Sequence, residues 1–136
     1  MQFPGIIIGD RHLLRRIVSE EDTAGNYWNT NVGQLLSTPS IVAMMIEACT
    51  ELVDQRLPDG FMSVGKSAEV VHEAPTVLGA TVTMTVEIEA FDGYHIRLRM
   101  EAHDESGLIS TGRHERSIVN AQWMRLKITR RLTDRI

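Results

Sequence analysis

One long helix constrains this chain of 136 residues more than any other feature. The stretch from Ser37 to about Arg56 opens on Ser37-Thr38-Pro39, where a hydroxyl can cap the helix and proline suits its first turn. Apolar residues then recur at spacings of three and four, and Leu57-Pro58-Asp59-Gly60 ends the pattern. The apolar residues of the helix form one broad stripe that must be buried. The stripe contains Ile41, Val42, Met44, Met45, Ala48, Cys49, Leu52 and Val53.

The rest of the chain has the two-residue periodicity of half-buried strands. Residues 80–90 alternate apolar side chains with Thr and Glu, and residues 94–103 alternate them with His, Arg and Glu. Asp92-Gly93 predicts a hairpin between these two strands. Further strands are predicted at about Leu14 to Ser19, Phe61 to Glu73 and Leu108 to Gln122, with a loop from Glu20 to Asn31.

An antiparallel sheet curved around the helix buries both apolar faces at once. We therefore predict an α+β hotdog fold in one domain over residues 1–136, with a core at about 9–124 and a basic C-terminal tail at 125–136. A sheet of this size keeps a free edge, so we expect a homodimer or a higher homo-oligomer. The strand near Ala80 or the strand near Phe61 would continue the sheet into the partner.

Composition and charge exclude several classes of function. The formal net charge is −4, and Lys and Arg are scattered outside the tail, so no nucleic-acid partner is expected. No apolar run approaches the roughly 20 residues of a membrane-spanning helix, and the N-terminus lacks a signal-peptide pattern. A single cysteine, Cys49, allows neither an internal disulfide nor a thiolate metal site. We expect a cytoplasmic protein without membrane contact, bound metal or cofactor.

Two histidines lie where chemistry could occur. His72 ends a predicted strand just before Glu73-Ala74-Pro75-Thr76, whose proline stops pairing and starts a loop. It is either a core residue with one paired nitrogen or a side chain aimed into a cleft. His114 lies within the charge-dense Gly112 to Arg116, where mutual ion pairing is the ordinary explanation. No phosphate loop, nucleophile elbow or metal-ligand spacing is present, so these patterns alone assign no reaction.

Three segments carry a resemblance to a known family. They are Ser37 to Cys49; His72 to Thr83, with the pattern His-x-Ala-x-Thr-x-x-Gly-x-x-Val; and Ala102-His103-Asp104 together with Gly112 to Arg116. Over about residues 9–124 the chain resembles the fluoroacetyl-CoA thioesterase family of hotdog proteins. The second and third segments are the more specific ones.

The resemblance implies hydrolysis of a small acyl-CoA thioester, with no cofactor beyond the CoA of the substrate. The family's catalytic threonine falls on Thr38 and its catalytic histidine on His72. Its glycine, whose backbone N–H lies near the thioester carbonyl, falls on Gly65. The arginine of its His-Glu-Arg segment falls on Arg116, which the resemblance assigns to substrate binding.

The family's catalytic glutamate is displaced in this sequence. Ile46 occupies its position and Glu47 follows one residue later, a rotation of about 100° on a helix. Glu47 is therefore either a solvated carboxylate opposite the apolar stripe, or a catalytic carboxylate that a helix bulge or a partner subunit brings to His72.

The displaced glutamate leaves two other functions open. One is a hotdog protein that binds an acyl-CoA thioester without hydrolysing it, as a sensor or carrier. The other is an enoyl-thioester hydratase, which the absence of a clear Asp and His pair before the helix disfavours. The acyl group is not fixed by the sequence, although Tyr27, Trp28, Met44 and Met45 are candidates for lining its pocket.

Overall fold

The structure, a computed structural model, describes residues 2–134, so Met1, Arg135 and Ile136 of the predicted domain lie outside the described residues. One long helix and one sheet dominate it, and three short 3-10 helices lie between β1 and α1. The elements in chain order are β1 (Arg11–Ile17), α1 (Thr38–Asp54), β2 (Phe61–His72), β3 (Thr81–Phe91), β4 (His95–Asp104), β5 (Gly107–Asn120) and α2 (Ala121–Thr133).

The five strands form one sheet in the order β1-β3-β4-β5-β2, with every neighbouring pair antiparallel. Helix α1 packs against it most closely at β2, β3 and β1, and its buried stripe forms one apolar core with the inner residues of β3 and β4. Of the predicted stripe only Val42 is less than fully buried. This arrangement confirms the predicted α+β architecture of an antiparallel sheet around one helix.

The end of the chain differs from the prediction. The alternation predicts a strand as far as Gln122, but β5 ends at Asn120. The Asn120 side chain accepts a hydrogen bond of 2.9 Å from the Trp123 backbone N–H, which caps a new helix in place of an irregular tail. Tyr94 likewise lies in the turn before β4 and is exposed, rather than on the strand's inner face.

The sheet has two free edges, β1 and β2. Two strands were predicted as candidates for continuing the sheet into a partner. Strand β3, which begins near Ala80, has neighbours on both sides and cannot do so, whereas β2, which begins at Phe61, lies at an edge. Along β2 the run 65–69 is exposed at every residue, on both faces of the strand. Beside it α1 leaves a ridge uncovered, formed by Pro39, Ala43 and Ile46.

Within residues 2–134 no helix has both the length and the hydropathy needed to cross a membrane.

Candidate active site

Two of the predicted site residues meet at the start of α1. Ser37 caps the helix by accepting a 3.1 Å hydrogen bond from the Ser40 backbone N–H, which fixes Thr38 as the first helical residue. His72 ends β2 on the neighbouring edge of the sheet. Thr38 Oγ1 and His72 Nδ1 lie 2.9 Å apart and form a hydrogen bond. Residues 34 positions apart in sequence are therefore joined at the positive end of the helix dipole.

The second ring nitrogen of His72 is not used. Nε2 is buried and has no hydrogen-bond partner within residues 2–134. A buried ring nitrogen without a partner is uncommon in folded proteins, and it marks a group that a substrate, a water molecule or another subunit can engage. Among the described residues, His72 is thus held by Thr38 through one ring nitrogen and has no partner at the other.

A cleft of about 430 Å³ opens beside this pair. It lies between the short 3-10 helices, the first turn of α1 and the loop that follows His72. Its lining is mostly apolar, and Tyr27 and Trp28 contribute to it as the sequence suggests. Met44 and Met45 do not, because both are buried in the core. The lining residues are Ala24, Tyr27, Trp28, Asn29, Val32, Leu35, Leu36, Ser37, Thr38, Pro39, His72 and Pro75.

A shallower depression adjoins the same pair and contains a carboxylate. Thr38, His72, Glu73, Ala74 and Pro75 line it. Sequence reasoning missed Glu73 because neighbouring residues of a strand point to opposite faces. Pro75 could have indicated the position of Glu73. Proline interrupts strand pairing, so the strand ends at His72 and the alternation of faces no longer applies to Glu73.

The loop after His72 is held by two residues of the family pattern. Thr76 is buried, and its hydroxyl donates a 2.9 Å hydrogen bond to the Asp104 carboxylate at the end of β4. The Glu73 and Ala74 backbone N–H groups both donate to the Ile109 carbonyl of β5. These contacts fix the side of the cleft that Pro75 lines.

Glu47 lies elsewhere. Its carboxylate forms a 2.7 Å ion pair with Arg16 of β1, whereas His72 belongs to β2 at the opposite edge of the sheet. It is nine residues beyond Thr38, about 13 Å further along the helix axis. Helix α1 is α-helical from Thr38 to Asp54, so no bulge redirects it. The structure does not bring Glu47 to His72 within the chain, and Ile46, 38% exposed, occupies the uncovered ridge.

Gly65 is also distant from His72 within one chain. The two residues are seven positions apart on β2, about 23 Å along an extended strand. Gly65 lies at an irregularity in the pairing of β2 with β5. A side chain at this position would contact His114 and Arg116, which lie directly beneath it.

Arg116 lies in the interior instead of reaching a substrate. Its guanidinium is buried and donates to the Ser63 hydroxyl at 2.7 Å, to the Ser63 carbonyl at 2.9 Å and to His114 Nε2 at 3.1 Å. The Ser63 hydroxyl in turn donates to the Asp54 carboxylate. The assignment of Arg116 to direct substrate binding is therefore not supported by its position, which suits a role in holding β2 and β5 together under Gly65.

The same contacts fix the tautomer of His114. Nδ1 lies 2.7 Å from the Ser67 carbonyl, which can only accept, so Nδ1 carries the proton and Nε2 accepts from Arg116. Burial lowers the pKa of His114 and the neighbouring Arg116 charge adds to this, against the opposing effect of the Ser67 hydrogen bond. His114 is a neutral structural residue beneath the Gly65 segment.

Neither a metal site nor a reactive thiol is formed by the described residues. Among residues 2–134 no three His, Cys, Asp or Glu side chains are grouped so that they could hold a metal ion. Cys49 is buried in the core, and burial raises the pKa of its thiol to about 12. The chemistry available at this site is that of a histidine, a hydroxyl, a helix N-terminus and an apolar cleft.

Comparison with known proteins identifies the family to which this site belongs. The sequence profile described as fluoroacetyl-CoA-specific thioesterase matches residues 18–122. A fluoroacetyl-CoA thioesterase from Streptantibioticus cattleyicolor is 32% identical over 95 residues, which cover 70% of this chain and 68% of that protein. The chain belongs to the fluoroacetyl-CoA-specific thioesterase family.

Solved structures agree with this assignment. A hot-dog-like protein from Thermanaerovibrio acidaminovorans has a TM-score of 0.89 and 32% identity, with 93% of each chain covered. A mutant of the thioesterase FlK in complex with acetyl-CoA has a TM-score of 0.82 and 26% identity, with 93% of this chain and 98% of that chain covered. The predicted hotdog fold and the predicted family are both confirmed.

The neutral His114 gives stability a measurable pH dependence. Because its pKa is lowered in the folded protein, the unfolded chain binds a proton first as the pH falls below about 6.5. The free energy of unfolding therefore decreases from pH 8 to pH 5. We expect His114→Gln to lose about 1–3 kcal/mol at pH 8, through its broken hydrogen bonds, and to show a weaker decrease on acidification.

Urea unfolding at both pH values measures this. His103→Gln, a change at an exposed position on β4, is the matched control and should keep the parental pH dependence. A parental pH dependence in His114→Gln would contradict the assignment of a neutral, buried His114.

Proposed function

We propose that this protein hydrolyses a small acyl-CoA thioester to a carboxylate and free CoA. The observation that carries the proposal is the 2.9 Å hydrogen bond between Thr38 and His72, formed at a helix N-terminus and at the edge of an apolar cleft. Family membership supports it, as does the acetyl-CoA bound to the related FlK. An apolar cleft suits an acyl chain, and an imidazole with a free nitrogen suits a general base.

In the proposed reaction His72 Nε2 takes a proton from a water molecule, whose oxygen forms a bond to the thioester carbonyl carbon. Thr38 holds the ring through Nδ1. Negative charge then develops on the carbonyl oxygen, near the positive end of α1. The carbon–sulfur bond breaks, and the CoA thiolate leaves and takes up the proton. Because a thiolate is a good leaving group, the reaction requires neither a strong general acid nor a metal.

The first turn of α1 can also donate a hydrogen bond to that oxygen. Pro39 has no N–H, and the Ser40 N–H is engaged by Ser37. The Thr38 N–H has no acceptor within residues 2–134. We assign it, together with the N–H of the partner's Gly65, as a donor to the developing oxyanion.

The carboxylate assigned to this chemistry is Glu73 rather than Glu47. Glu73 lines the depression that contains Thr38 and His72, and Glu47 is held by Arg16. A carboxylate at position 73 can orient the attacking water or stabilise the imidazolium once His72 is protonated. This places the acidic group on the strand side of the site, in place of the helix position that Ile46 occupies.

A homodimer completes the site. Pairing of β2 with the β2 of a second copy would cover the exposed run 65–69 and the ridge of Pro39, Ala43 and Ile46. A two-fold axis near residue 68 or 69 of this run places the partner's Gly65 opposite a residue between 71 and 73, beside His72.

We further propose that the protein acts in the cytoplasm without a resident cofactor, and that residues 1–136 work as a single domain. The lone buried Cys49 is in keeping with a reducing compartment.

A second candidate function is binding of an acyl-CoA thioester without hydrolysis. The observation in its favour is Ile46, which leaves the helix side of the site without the family's carboxylate. The two functions differ in whether bound acyl-CoA releases a thiol.

The first prediction of the proposed function concerns the Thr38–His72 pair. His72→Ala should lower kcat by about 10²- to 10⁴-fold, the usual contribution of a general base. Thr38→Val keeps the shape but loses the hydrogen bond, and we expect a smaller loss of about tenfold to a hundredfold. Thiol release from a panel of acyl-CoA esters measures both. Hydrolysis at the parental rate by His72→Ala would show that His72 is structural; acyl-CoA binding without thiol release by the parent would favour the second function.

The second prediction separates the two glutamates. Glu73→Gln should lower kcat by at least about tenfold, whereas Glu47→Gln should keep kcat and lose no more than about 1 kcal/mol of stability through its half-exposed ion pair. Each variant is the matched control of the other. Ile46→Glu tests the helix position directly: a gain of activity there, with both Gln variants silent, would refute the assignment to Glu73.

The third prediction concerns assembly. Light scattering at micromolar concentration should give twice the mass of the chain. Ala43→Arg puts an unpaired charge into the apolar ridge and should shift the protein towards monomer with loss of activity. Gln55→Arg, at the exposed end of α1, is the control and should remain dimeric. A monomeric parent with full activity would rule out a site that depends on two subunits.

A further inference from the structure

Helix α2 carries an unusual concentration of positive charge. Residues 121–136 contain five Lys or Arg and one acidic residue, whereas residues 1–120 contain nine and 17. Among residues 2–134 none of the α2 cations has a carboxylate within 4.0 Å, although most arginines of the sheet are paired with glutamates. Residues 1–120 carry a net negative charge that repels a polyanion such as CoA, whereas α2 carries a net positive charge that attracts one.

One face of α2 combines an aromatic ring with two cations. Trp123, Leu126, Lys127 and Arg130 have the spacing i, i+3, i+4 and i+7, so they share one side of the helix. Trp123 is 56% exposed, and Lys127 Nζ lies 5.1 Å from the centre of its indole ring. We call these four residues the indole face. The opposite side begins with Ala121 and Met124, which are half-buried against the body of the protein.

The indole face has the chemistry of a site for a phosphorylated purine nucleotide. An indole ring offers a stacking surface for a base, and flanking Lys and Arg side chains donate charge-assisted hydrogen bonds to phosphates. A membrane surface fits it less well. An interfacial helix needs one apolar side and one polar side, but Trp123 and Leu126 lie opposite Ile128 and Leu132 on α2.

The position of α2 links it to the active site of a second copy. The Ala121 N–H donates a 2.9 Å hydrogen bond to the Gly60 carbonyl, so α2 starts beside the beginning of β2. Within one chain Gly60 precedes His72 by 12 residues, about 40 Å along an extended strand. The two-fold axis proposed above, near residue 68 or 69, places the partner's Gly60 opposite a residue between 76 and 78. The partner's α2 therefore starts four to six residues past His72, about 13–20 Å along the strand direction and much nearer than the α2 of the same chain.

We infer that the indole face of α2 binds the 3′-phosphoadenosine diphosphate end of the acyl-CoA whose thioester lies in the partner subunit's cleft. The inference rests on the proposed function and on the proposed dimer. The acyl group and the nucleotide are then held by different subunits, and the pantetheine arm crosses between them.

The test uses the full chain and the double variant Lys127→Gln/Arg130→Gln. Its matched control is Arg125→Gln/Arg131→Gln, which removes the same charge from the same helix outside the indole face. Calorimetry measures the Kd for CoA. Kinetics compare an acyl-CoA with the same acyl group on N-acetylcysteamine, a thioester without a nucleotide.

The double variant should raise the Kd for CoA and the KM for acyl-CoA by at least about tenfold, the loss expected for two phosphate contacts. Its kcat and its kinetics with the N-acetylcysteamine thioester should stay within about twofold of the parent, as should all properties of the control. Trp123→Ala should weaken CoA binding, and Trp123→Phe should restore most of it because the stacking surface is kept.

Three results would overturn the inference: an unchanged Kd for CoA in the double variant, an equal loss in the control, or an equal loss with the thioester that has no nucleotide.

Vesicles containing phosphatidylserine test the other source of phosphate. Vesicle binding that depends on Lys127 and Arg130, with CoA binding unaltered, would assign the face to lipid and refute the inference. If the parent binds CoA but hydrolyses no thioester, the proposed function fails, while the Kd comparison still decides the role of α2.

Discussion

Burial of the α1 stripe is the interaction on which the rest of this structure depends. Seven of its eight residues are buried in the core against the sheet, and this packing fixes the position of the helix along its axis and its rotation about that axis. Because the Ser37 cap sets where the helix begins, Thr38 lies at the end of β2 and contacts His72. The same packing presents Glu47 to β1 and leaves Ile46 uncovered. The candidate site is a consequence of how the core is packed, not of a local motif.

The second constraint is the free edge of β2. A strand with an exposed row of backbone groups, next to an uncovered apolar ridge, is a surface that natural proteins cover. The Asp54–Ser63–Arg116–His114 network stiffens this strand from beneath, just where its pairing with β5 is irregular. A rigid edge allows a second copy to pair in one register, and only a fixed register can bring Gly65 of one chain near His72 of another.

The sequence predicts most of the fold because its two periodicities are clear and because the helix and hairpin signals agree with them. It fails where a single local contact decides the outcome. The alternation continues past Asn120, and only its side-chain cap turns the tail into α2. The site was predictable for Thr38 and His72 through the family pattern. The pattern also marked Arg116, but not its burial beneath Gly65, which arises from tertiary packing that spacing does not record. Glu73 was missed because the strand alternation was extended one residue past His72.

The replacement of the family's carboxylate by Ile46 changes what the remaining groups must supply. In the proposed dimer an isoleucine on the ridge would strengthen the apolar contact between subunits, whereas a carboxylate there would have to be solvated or paired. In the proposed mechanism the acidic group comes instead from the strand side, where Glu73 lines the same depression as His72. A thioester tolerates this shift, because its thiolate leaves readily and the demanding step is the attack of water. This step requires an oriented imidazole and hydrogen-bond donors at a helix N-terminus. The described residues retain both, at His72 and at the start of α1.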